Sequence, residues 1–168
     1  MIITLTGFMG CGKSSVGRKL SQLLCCPFMD LDDVIVEREG RTIPEIFASD
    51  GEATFRQMEL EALQAILKTG PDMVLALGGG TVMTPACAQL LQERTICIYM
   101  RASTDTLVAH LTGEDAGRPM LQGQDLRSRI EELMERRSAT YESVAHETID
   151  TDGLSIEETA RHIIDICD

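Results

Sequence analysis

The chain has 168 residues, of which 43% are hydrophobic and 25% charged, a balance typical of one globular domain and not of a disordered segment. Its formal net charge of −12 argues against nonspecific nucleic-acid binding, which depends on Lys and Arg at phosphates. No apolar run approaches the roughly 20 residues that cross a bilayer, so we expect no membrane association. An anionic substrate would therefore need a local cluster of cations.

The six cysteines show no zinc-type spacing, and the adjacent Cys25 and Cys26 cannot form an ordinary structural disulfide with each other. The first residues, Met1 to Thr6, lack the basic and long apolar stretches of a secretory signal. We therefore expect free thiols and a cytoplasmic location. A monomer is the default expectation.

In chain order, the pattern first predicts a buried strand at Ile2–Thr6, ended by Gly7, and a helix at Lys13–Leu24 that Pro27 stops. A second, short strand at Phe28–Asp30 ends in acidic residues. The first third of the chain is therefore predicted to run strand, helix, strand.

The rest of the chain continues to alternate between helical and extended patterns. We expect short helices at 32–39 and after Pro44, a longer helix at 51–68, a strand at 73–77 that runs into three glycines, a strand at 95–100, a helix at 103–111, a mobile polar loop at 113–124, an amphipathic helix at 126–141 and a last strand at Glu147–Asp150. Ser155 and Glu158 form a capping box that begins a final helix.

This alternation implies parallel strands joined by right-handed crossovers. We therefore predict a single α/β domain over residues 1–168, a three-layer α/β/α P-loop kinase fold with a central five-stranded parallel sheet. Ligands in such folds bind beyond the carboxyl ends of the strands. The loop after the first strand, Asp30 and the glycines at 78–80 all fall at such ends.

The segment G-F-M-G-C-G-K-S from Gly7 to Ser14 matches the phosphate-binding pattern G-x-x-x-x-G-K-[ST]. Its glycines let successive backbone N–H groups point at phosphate oxygens, and the following helix adds its positive N-terminal end. Lys13 is expected to reach the β- and γ-phosphates of ATP, and the Ser14 hydroxyl to bind Mg²⁺. A chance match is improbable because a strand precedes this loop and a helix follows it.

The class of P-loop protein follows from what the sequence contains and lacks. A GTPase would need an N-K-x-D motif, yet the sequence has no Asn. A motor-type ATPase would need an oligomerisation domain for which the chain has no room. A small-molecule kinase needs a phosphate loop, an acid that directs the metal, an acceptor site with a base and a cationic lid.

Two pairs of residues are candidates for these roles, and each has a structural alternative. Asp30 and Asp32 alternate in a segment expected to be extended, which would put one carboxylate at the metal and the other at an acceptor hydroxyl. Asp32 or Asp33 could instead cap the next helix. Arg56 and Arg137 lie on core-facing stripes and must either pair with an internal carboxylate, such as Glu59, or line a pocket for an anion; the residues alone favour the ion pair.

The predicted loop at 113–124 and the triple glycine leave two further alternatives open. Arg118 is either a lid cation that closes over the phosphates or a solvated loop arginine. Gly78, Gly79 and Gly80 either let a substrate approach the backbone or form a plain turn from strand to helix.

Together these residues resemble the shikimate kinase family over nearly the whole chain. The motifs that carry the resemblance are G-F-M-G-C-G-K-S-S, D-L-D-D-V-I, R-T-I-P-E-I-F, G-E-A-T-F-R-Q-M-E, A-L-G-G-G, G-R-P-M-L and E-R-R-S-A-T-Y, in that order. The resemblance implies phosphoryl transfer from MgATP to the 3-hydroxyl of shikimate in aromatic amino-acid biosynthesis. A related kinase acting on another small anion, such as gluconate, is the alternative; a nucleotide-binding regulator without acceptor chemistry is a further one.

The resemblance also implies roles for individual residues. ATP would be bound by Gly10, Cys11, Gly12, Lys13, Ser14, Ser15 and Arg118, the last being the arginine of a lid at about 112–124. Mg²⁺ would be held by Ser14 and, through water, by Asp30. Shikimate would be bound by Asp32, Arg56, Arg137 and Gly78, Gly79 and Gly80, with Glu59 bracing the arginines, in an acceptor segment at about 32–60. Lys13, Asp32 and Arg118 would be catalytic.

Three residues depart from the family pattern. Cys11 replaces a small residue of the phosphate loop, His110 stands where an arginine beside adenine is common, and Met120 replaces a leucine of the lid. A thiol among the amides of the phosphate loop suggests the hypothesis that Cys11 reacts with alkylating agents and that ATP protects it.

Overall fold

The computed structural model describes residues 1–112 and 125–168, and the strands of this part of the chain form one sheet. The strands are β1 (Ile2–Thr6), β2 (Phe28–Asp30), β3 (Met73–Ala76), β4 (Ile96–Arg101) and β5 (Glu147–Asp150). They lie in the order β2-β3-β1-β4-β5, and each neighbouring pair is parallel. The predicted five-stranded parallel sheet is confirmed.

The helices begin and end within three residues of the predicted positions, with one addition. They are α1 (Lys13–Leu24), α2 (Leu31–Glu39), α3 (Ile43–Asp50), α4 (Glu52–Thr69), α5 (Pro85–Arg94), α6 (Thr104–Leu111), α7 (Leu126–Val144) and α8 (Ile156–Cys167). Helix α5 was not predicted from the sequence. Only Cys87 and Leu91 of this helix are buried, so its apolar periodicity is too sparse to indicate a helix.

Alternate side chains of the strands point to opposite faces of the sheet and divide the core into two layers. Ile3 and Leu5 belong to a cluster that continues into α1 and α8, whereas Met73 and Leu75 belong to a cluster that continues into α4. Because both faces of the sheet are covered, its strands are apolar almost throughout. The three-layer α/β/α architecture is therefore confirmed.

The position of β1 fixes where a ligand can bind. This strand is central, with β3 on one side and β4 on the other. The chain leaves β1 toward the β2 edge through α1, whereas it leaves β3 toward the opposite edge through α5. The loops after β1 and β3 therefore diverge and leave a crevice at the carboxyl ends of the strands.

Side-chain caps fix the start of several helices beside this crevice. The Asp30 carboxylate accepts from the backbone N–H groups of Asp32 and Asp33 and begins α2. Thr42 and Glu45 form a capping box at the start of α3. The predicted capping box of Ser155 and Glu158 begins α8 and is confirmed.

Candidate active site

A cavity of about 500 Å³ lies at the carboxyl ends of β1, β2 and β3. It brings together most of the predicted site residues, namely Gly10, Gly12, Lys13, Ser14, Ser15, Asp30, Asp32, Arg56, Glu59, Gly78, Gly79, Gly80 and Arg137. Cys11 is predicted for the same site, but its side chain is buried in the core and does not line the cavity. Arg118 and the rest of the predicted lid from 113 onward lie outside the described residues.

The phosphate loop forms one end of this cavity. Gly12 has a positive φ of 95°, which residues with a Cβ adopt only with strain, and it leads directly into α1. The Lys13 ammonium donates to the backbone carbonyls of Gly7 at 2.7 Å and Phe8 at 3.2 Å. The cation is therefore held over the loop, where it can exchange these carbonyls for phosphate oxygens.

Ser14 and Asp30 meet beside the loop. The Ser14 hydroxyl donates to Asp30 Oδ2 at 2.7 Å, while Asp30 Oδ1 caps α2. Hydroxyl and carboxylate oxygens are ligands that Mg²⁺ accepts, usually together with waters and substrate phosphates. The described residues contain no cluster of three carboxylate, imidazole or thiolate groups suited to a metal. One hydroxyl and one carboxylate nevertheless fit a metal that the phosphates also bind.

Asp32 lies deeper in the cavity, and the geometry expected for it was wrong. The chain turns into α2 directly after Asp30, so Asp32 stands in the first helical turn and not in an extended segment. The cap of α2 is Asp30, which also corrects the alternative that Asp32 or Asp33 caps it. Both Asp30 and Asp32 consequently border the same cavity.

The environment of Asp32 makes its carboxylate unusually basic. Its Oδ1 is buried and has no hydrogen-bond partner among the described residues. The pKa of Asp32 is raised from 3.8 to about 6, mainly by burial and also by the negative charges of Asp30 and Glu59, which outweigh the lowering by Lys13 and Arg56. Such a carboxylate accepts a proton more readily than an exposed one and is still ionised at neutral pH.

Arg56 is held by carboxylates inside the protein. Its guanidinium donates to Glu59 at 2.7 Å and to Glu52 at 3.2 Å, and Glu59 is fully buried. The ion pair that the sequence favoured is therefore present at Arg56. The same guanidinium lies against the backbone of Gly80, where a Cβ would come within 2.5 Å of Arg56 Nη2. Gly80 thus admits the arginine to the cavity wall.

Arg137 differs from Arg56 because its charge is not neutralised within the described chain. Its side chain is 6% exposed, Nη1 has no hydrogen-bond partner, and no carboxylate in residues 1–112 and 125–168 forms a salt bridge with it. Among the described residues, the ion pair that the sequence favoured is therefore absent at Arg137. A buried cation that lines a cavity without a counter-charge is suited to an anionic ligand.

The sequence analysis missed several residues that shape the acceptor end. Tyr141 stacks on Tyr99, with ring centroids 5.0 Å apart, and its hydroxyl donates to the Gly79 carbonyl. Phe47 and Phe55 contact each other and form an apolar wall. Phe55 and Tyr141 stand beside candidate residues in the motifs quoted above, which is a signal for a role at the site. Their helical periodicity, however, indicates only a buried helix face.

His110 closes the cavity near the phosphate loop. Its Nδ1 lies 2.7 Å from the Gly10 carbonyl, so this nitrogen carries the hydrogen and donates. From the sequence, His110 is recognisable only as a departure from a family pattern. The structure adds that α6 is tied to the loop by this residue.

Comparisons with known proteins agree with this geometry. A family model described as shikimate kinase matches residues 9–168. Curated proteins named shikimate kinase are similar over almost the whole chain. The protein from Salinibacter ruber is 38% identical, with 99% of this chain and 84% of the relative covered, and that from Thermus thermophilus is 41% identical, with 97% and 88% covered.

Solved structures give the same result. A shikimate kinase from Acinetobacter baumannii in complex with shikimate superposes with a TM-score of 0.94 at 33% identity, covering 99% of this chain and 92% of that one. A shikimate kinase from Bacteroides thetaiotaomicron superposes with a TM-score of 0.91 at 29% identity, covering 99% and 98%.

Proposed function

The chain belongs to the shikimate kinase family, and on that premise we propose that it transfers the γ-phosphoryl group of ATP to the 3-hydroxyl of shikimate, giving shikimate 3-phosphate and ADP. It is an ATP-dependent phosphotransferase. The observation that carries the proposal is one cavity lined by a phosphate loop, by Asp32 with its raised pKa, and by Arg137, which has no counter-charge among the described residues.

The nucleotide end of the cavity would bind the triphosphate through backbone N–H groups from Gly10 to Ser15. Lys13 would leave the carbonyls of Gly7 and Phe8 and contact the β- and γ-phosphates, where it stabilises the charge that moves during transfer. Mg²⁺ would be held by Ser14 and, through water, by Asp30, and would neutralise charge on the phosphates. Arg118 is proposed as the lid cation, in a segment at about 112–124.

The acceptor end would bind shikimate through its carboxylate and its hydroxyl groups. Arg137 would supply the counter-charge for the carboxylate, and the Arg56 guanidinium would add further hydrogen-bond donors. Glycines 78–80 would let the ring approach the backbone. We propose residues at about 32–60 as the acceptor-binding segment.

Asp32 is proposed as the group that receives the proton of the 3-hydroxyl. The hydroxyl oxygen forms a bond to the γ-phosphorus, and the bond between the γ-phosphorus and the β,γ-bridging oxygen breaks to release ADP. The proton of the hydroxyl passes to the carboxylate of Asp32. The raised pKa of Asp32 favours this transfer. Because phosphoryl transfer depends mainly on alignment, orienting the hydroxyl is the larger part of this role.

We propose that residues 1–168 form one catalytic domain, that it acts as a monomer, and that it works in the cytoplasm. The six thiols support a reducing environment, since the structure contains them as free cysteines. Among residues 1–112 and 125–168, no helix is both apolar and long enough to span a bilayer.

A coupled assay of ADP release tests the function. We expect release only when shikimate is added to MgATP, and not with gluconate or nucleoside monophosphates, because the acceptor end offers one uncompensated cation and an apolar wall for a compact ring acid. Release with gluconate alone would indicate the related kinase. ATP binding without any acceptor-dependent release would indicate a nucleotide-binding regulator.

A further inference from the structure

A threonine that the phosphoryl-transfer mechanism does not use lies behind the acceptor end of the cavity. Thr81 follows the three glycines, is fully buried, and begins the 3₁₀ turn Thr81–Met83. Its hydroxyl donates to Glu59 Oε2 at 2.7 Å. Since Thr81 does not line the cavity, it can affect the substrate only through another residue.

The bond from Thr81 completes the coordination of a buried charge. Glu59 is fully buried, and its other oxygen, Oε1, accepts from Arg56 at 2.7 Å. A buried carboxylate is costly unless each of its oxygens finds a donor. Thr81 and Arg56 therefore hold the two ends of this carboxylate and fix its rotation.

Arg56, Glu59 and Thr81 all pack against the turn at glycines 78–80. The Arg56 guanidinium lies against Gly80, while Thr81 Oγ1 lies 3.1 Å, and Glu59 Oε2 3.0 Å, from the position that a Cβ on Gly78 would occupy. Asp32 Oδ1 also lies 3.0 Å from that position. Helix α4 is thus tied to the turn after β3 beside the proposed acceptor hydroxyl.

We propose that Thr81 is a positioning residue for the acceptor site: its hydroxyl locks the Glu59 carboxylate, which in turn aims the Arg56 guanidinium at the substrate. Without the hydroxyl, Glu59 Oε2 has no donor and the carboxylate turns toward another cation. Arg56 and Arg137 both line the cavity, and both are proposed to bind the substrate carboxylate. Loss of the hydroxyl therefore sets Glu59 in competition with shikimate.

This inference rests on the proposed function, and kinetics of Thr81→Val and Thr81→Ser test it. Valine keeps the shape and removes the hydroxyl, so we expect the KM for shikimate to rise roughly tenfold, the size of a lost hydrogen bond to a charged group. The KM for ATP should stay within about twofold of wild type, because the bond lies at the acceptor end. Serine restores the hydroxyl and should bring the shikimate KM back to within about twofold.

A matched control separates this role from general damage to the core. Thr4 is likewise fully buried, and its hydroxyl bonds to Thr95, remote from the acceptor residues along the sheet. Thr4→Val should leave both KM values within about twofold. Equal rises of both KM values in Thr81→Val, or a Thr81→Ser variant as impaired as Thr81→Val, would overturn the inference.

A double-mutant cycle keeps the inference testable if Thr81→Val folds poorly. Glu59→Gln removes the charge through which Thr81 acts, so Thr81→Ala should change the shikimate KM less in a Glu59→Gln background than in wild type. Full additivity would overturn the inference.

Absence of shikimate-dependent ADP release in the wild-type enzyme would overturn the proposed function itself. An active wild type with an unaltered shikimate KM in the Thr81→Val variant would overturn only the role of Thr81.

Discussion

Arg137 and its neighbour in sequence offer a matched test of the acceptor site. Arg137 is buried without a counter-charge, whereas Arg136 is exposed and pairs with Glu132 on the same helix. We expect Arg137→Gln to raise the KM for shikimate roughly 10- to 100-fold, because hydrogen bonds between charged groups contribute about 1.5–3 kcal/mol. Steady-state kinetics with ATP saturating measures this.

Arg136→Gln is the control and should leave the shikimate KM within about twofold. Arg137→Gln should also fold at least as stably as wild type, because it removes a buried charge that lacks a partner. A shikimate KM that does not change in Arg137→Gln would contradict the assignment of this arginine to the substrate carboxylate.

Asp32 is predicted to lower the stability of the folded protein at neutral pH. Its pKa is about 6 in the folded state, against an ordinary value of 3.8, so the folded state binds its proton more tightly than the unfolded chain does. The favourable contribution is fully present below pH 3.8 and is lost as the pH rises through about 6. Asp32→Asn should therefore gain stability relative to wild type, by roughly 2–3 kcal/mol, between pH 4 and pH 8.

Urea unfolding in metal-free buffer measures this difference. Asp165→Asn, at an exposed position of α8, is the control for the loss of one carboxylate. The prediction fails if the difference in stability between Asp32→Asn and wild type is the same at both pH values. Activity should be lost in Asp32→Asn even though the protein is more stable.

At the scale of elements, an imidazole substitutes for part of the sheet between β4 and β5. His146 Nδ1 accepts from the backbone N–H of Cys97 at 2.9 Å, and Nε2 lies 3.1 Å from the Gln92 carbonyl, to which it donates. His146→Ala leaves the Cys97 amide, in a buried strand, without its acceptor. We expect a loss of about 1 kcal/mol in the free energy of unfolding, the typical net contribution of one hydrogen bond.

Chemical denaturation of His146→Ala and His162→Ala checks this prediction. His162 is exposed on α8, so its removal should change the free energy of unfolding by less than about 0.5 kcal/mol. Equal effects of the two variants would show that the bond to Cys97 adds nothing. The KM values should be unchanged in both variants, because neither histidine lines the cavity.

The elements that could be predicted are those whose signal is local. Buried parallel strands are continuous apolar runs. Gly7 marks the end of β1, Pro27 the end of α1, and the capping box at Ser155 the start of α8. Helix α5 escaped because it buries only two side chains, and the turn after Asp30 escaped because D-L-D is compatible with a strand or a helix start.

Pairing between distant residues could not be predicted from the sequence. Arg56 and Arg137 show the same pattern, a cation on an apolar stripe, yet only Arg56 meets carboxylates among the described residues. The difference arises because Glu52 and Glu59 lie one turn from Arg56 on the same helix, whereas the positions one turn from Arg137 on α7, namely 133, 134, 140 and 141, carry no carboxylate. The hydrogen bond from Thr81 to Glu59 joins residues 22 positions apart. Neither the helical periodicity around Glu59 nor the glycine turn before Thr81 indicates it.

At the scale of the whole molecule, the thiols are sorted by burial. Cys11, Cys87 and Cys97 are buried, and Cys25 is exposed. Burial raises the pKa of Cys87 to about 12 and that of Cys97 to about 11, so both are protonated and unreactive at neutral pH. We expect iodoacetamide to modify Cys25 quickly and the three buried thiols slowly, as followed by mass spectrometry of peptides.

The position of Cys11 in the core changes the hypothesis drawn from the sequence. Its side chain packs against Gly7 and away from the cavity, so we expect saturating ATP to leave its slow modification rate unchanged. Modification in guanidinium chloride, where all six cysteines should react alike, is the control. Rapid, ATP-protected alkylation of Cys11 in the native protein would contradict this expectation.

The central place of β1 has a consequence for synthesis on the ribosome. This strand emerges first, yet its two partners are β3, about seventy residues later, and β4, about ninety-five residues later. A nascent chain therefore carries an apolar strand with at least one unpaired edge until β4 has been made, and this strand becomes a target for chaperones that bind such segments. Slow codons placed after β4 would give the strand time to find both neighbours, whereas slow codons before β3 would prolong its exposure.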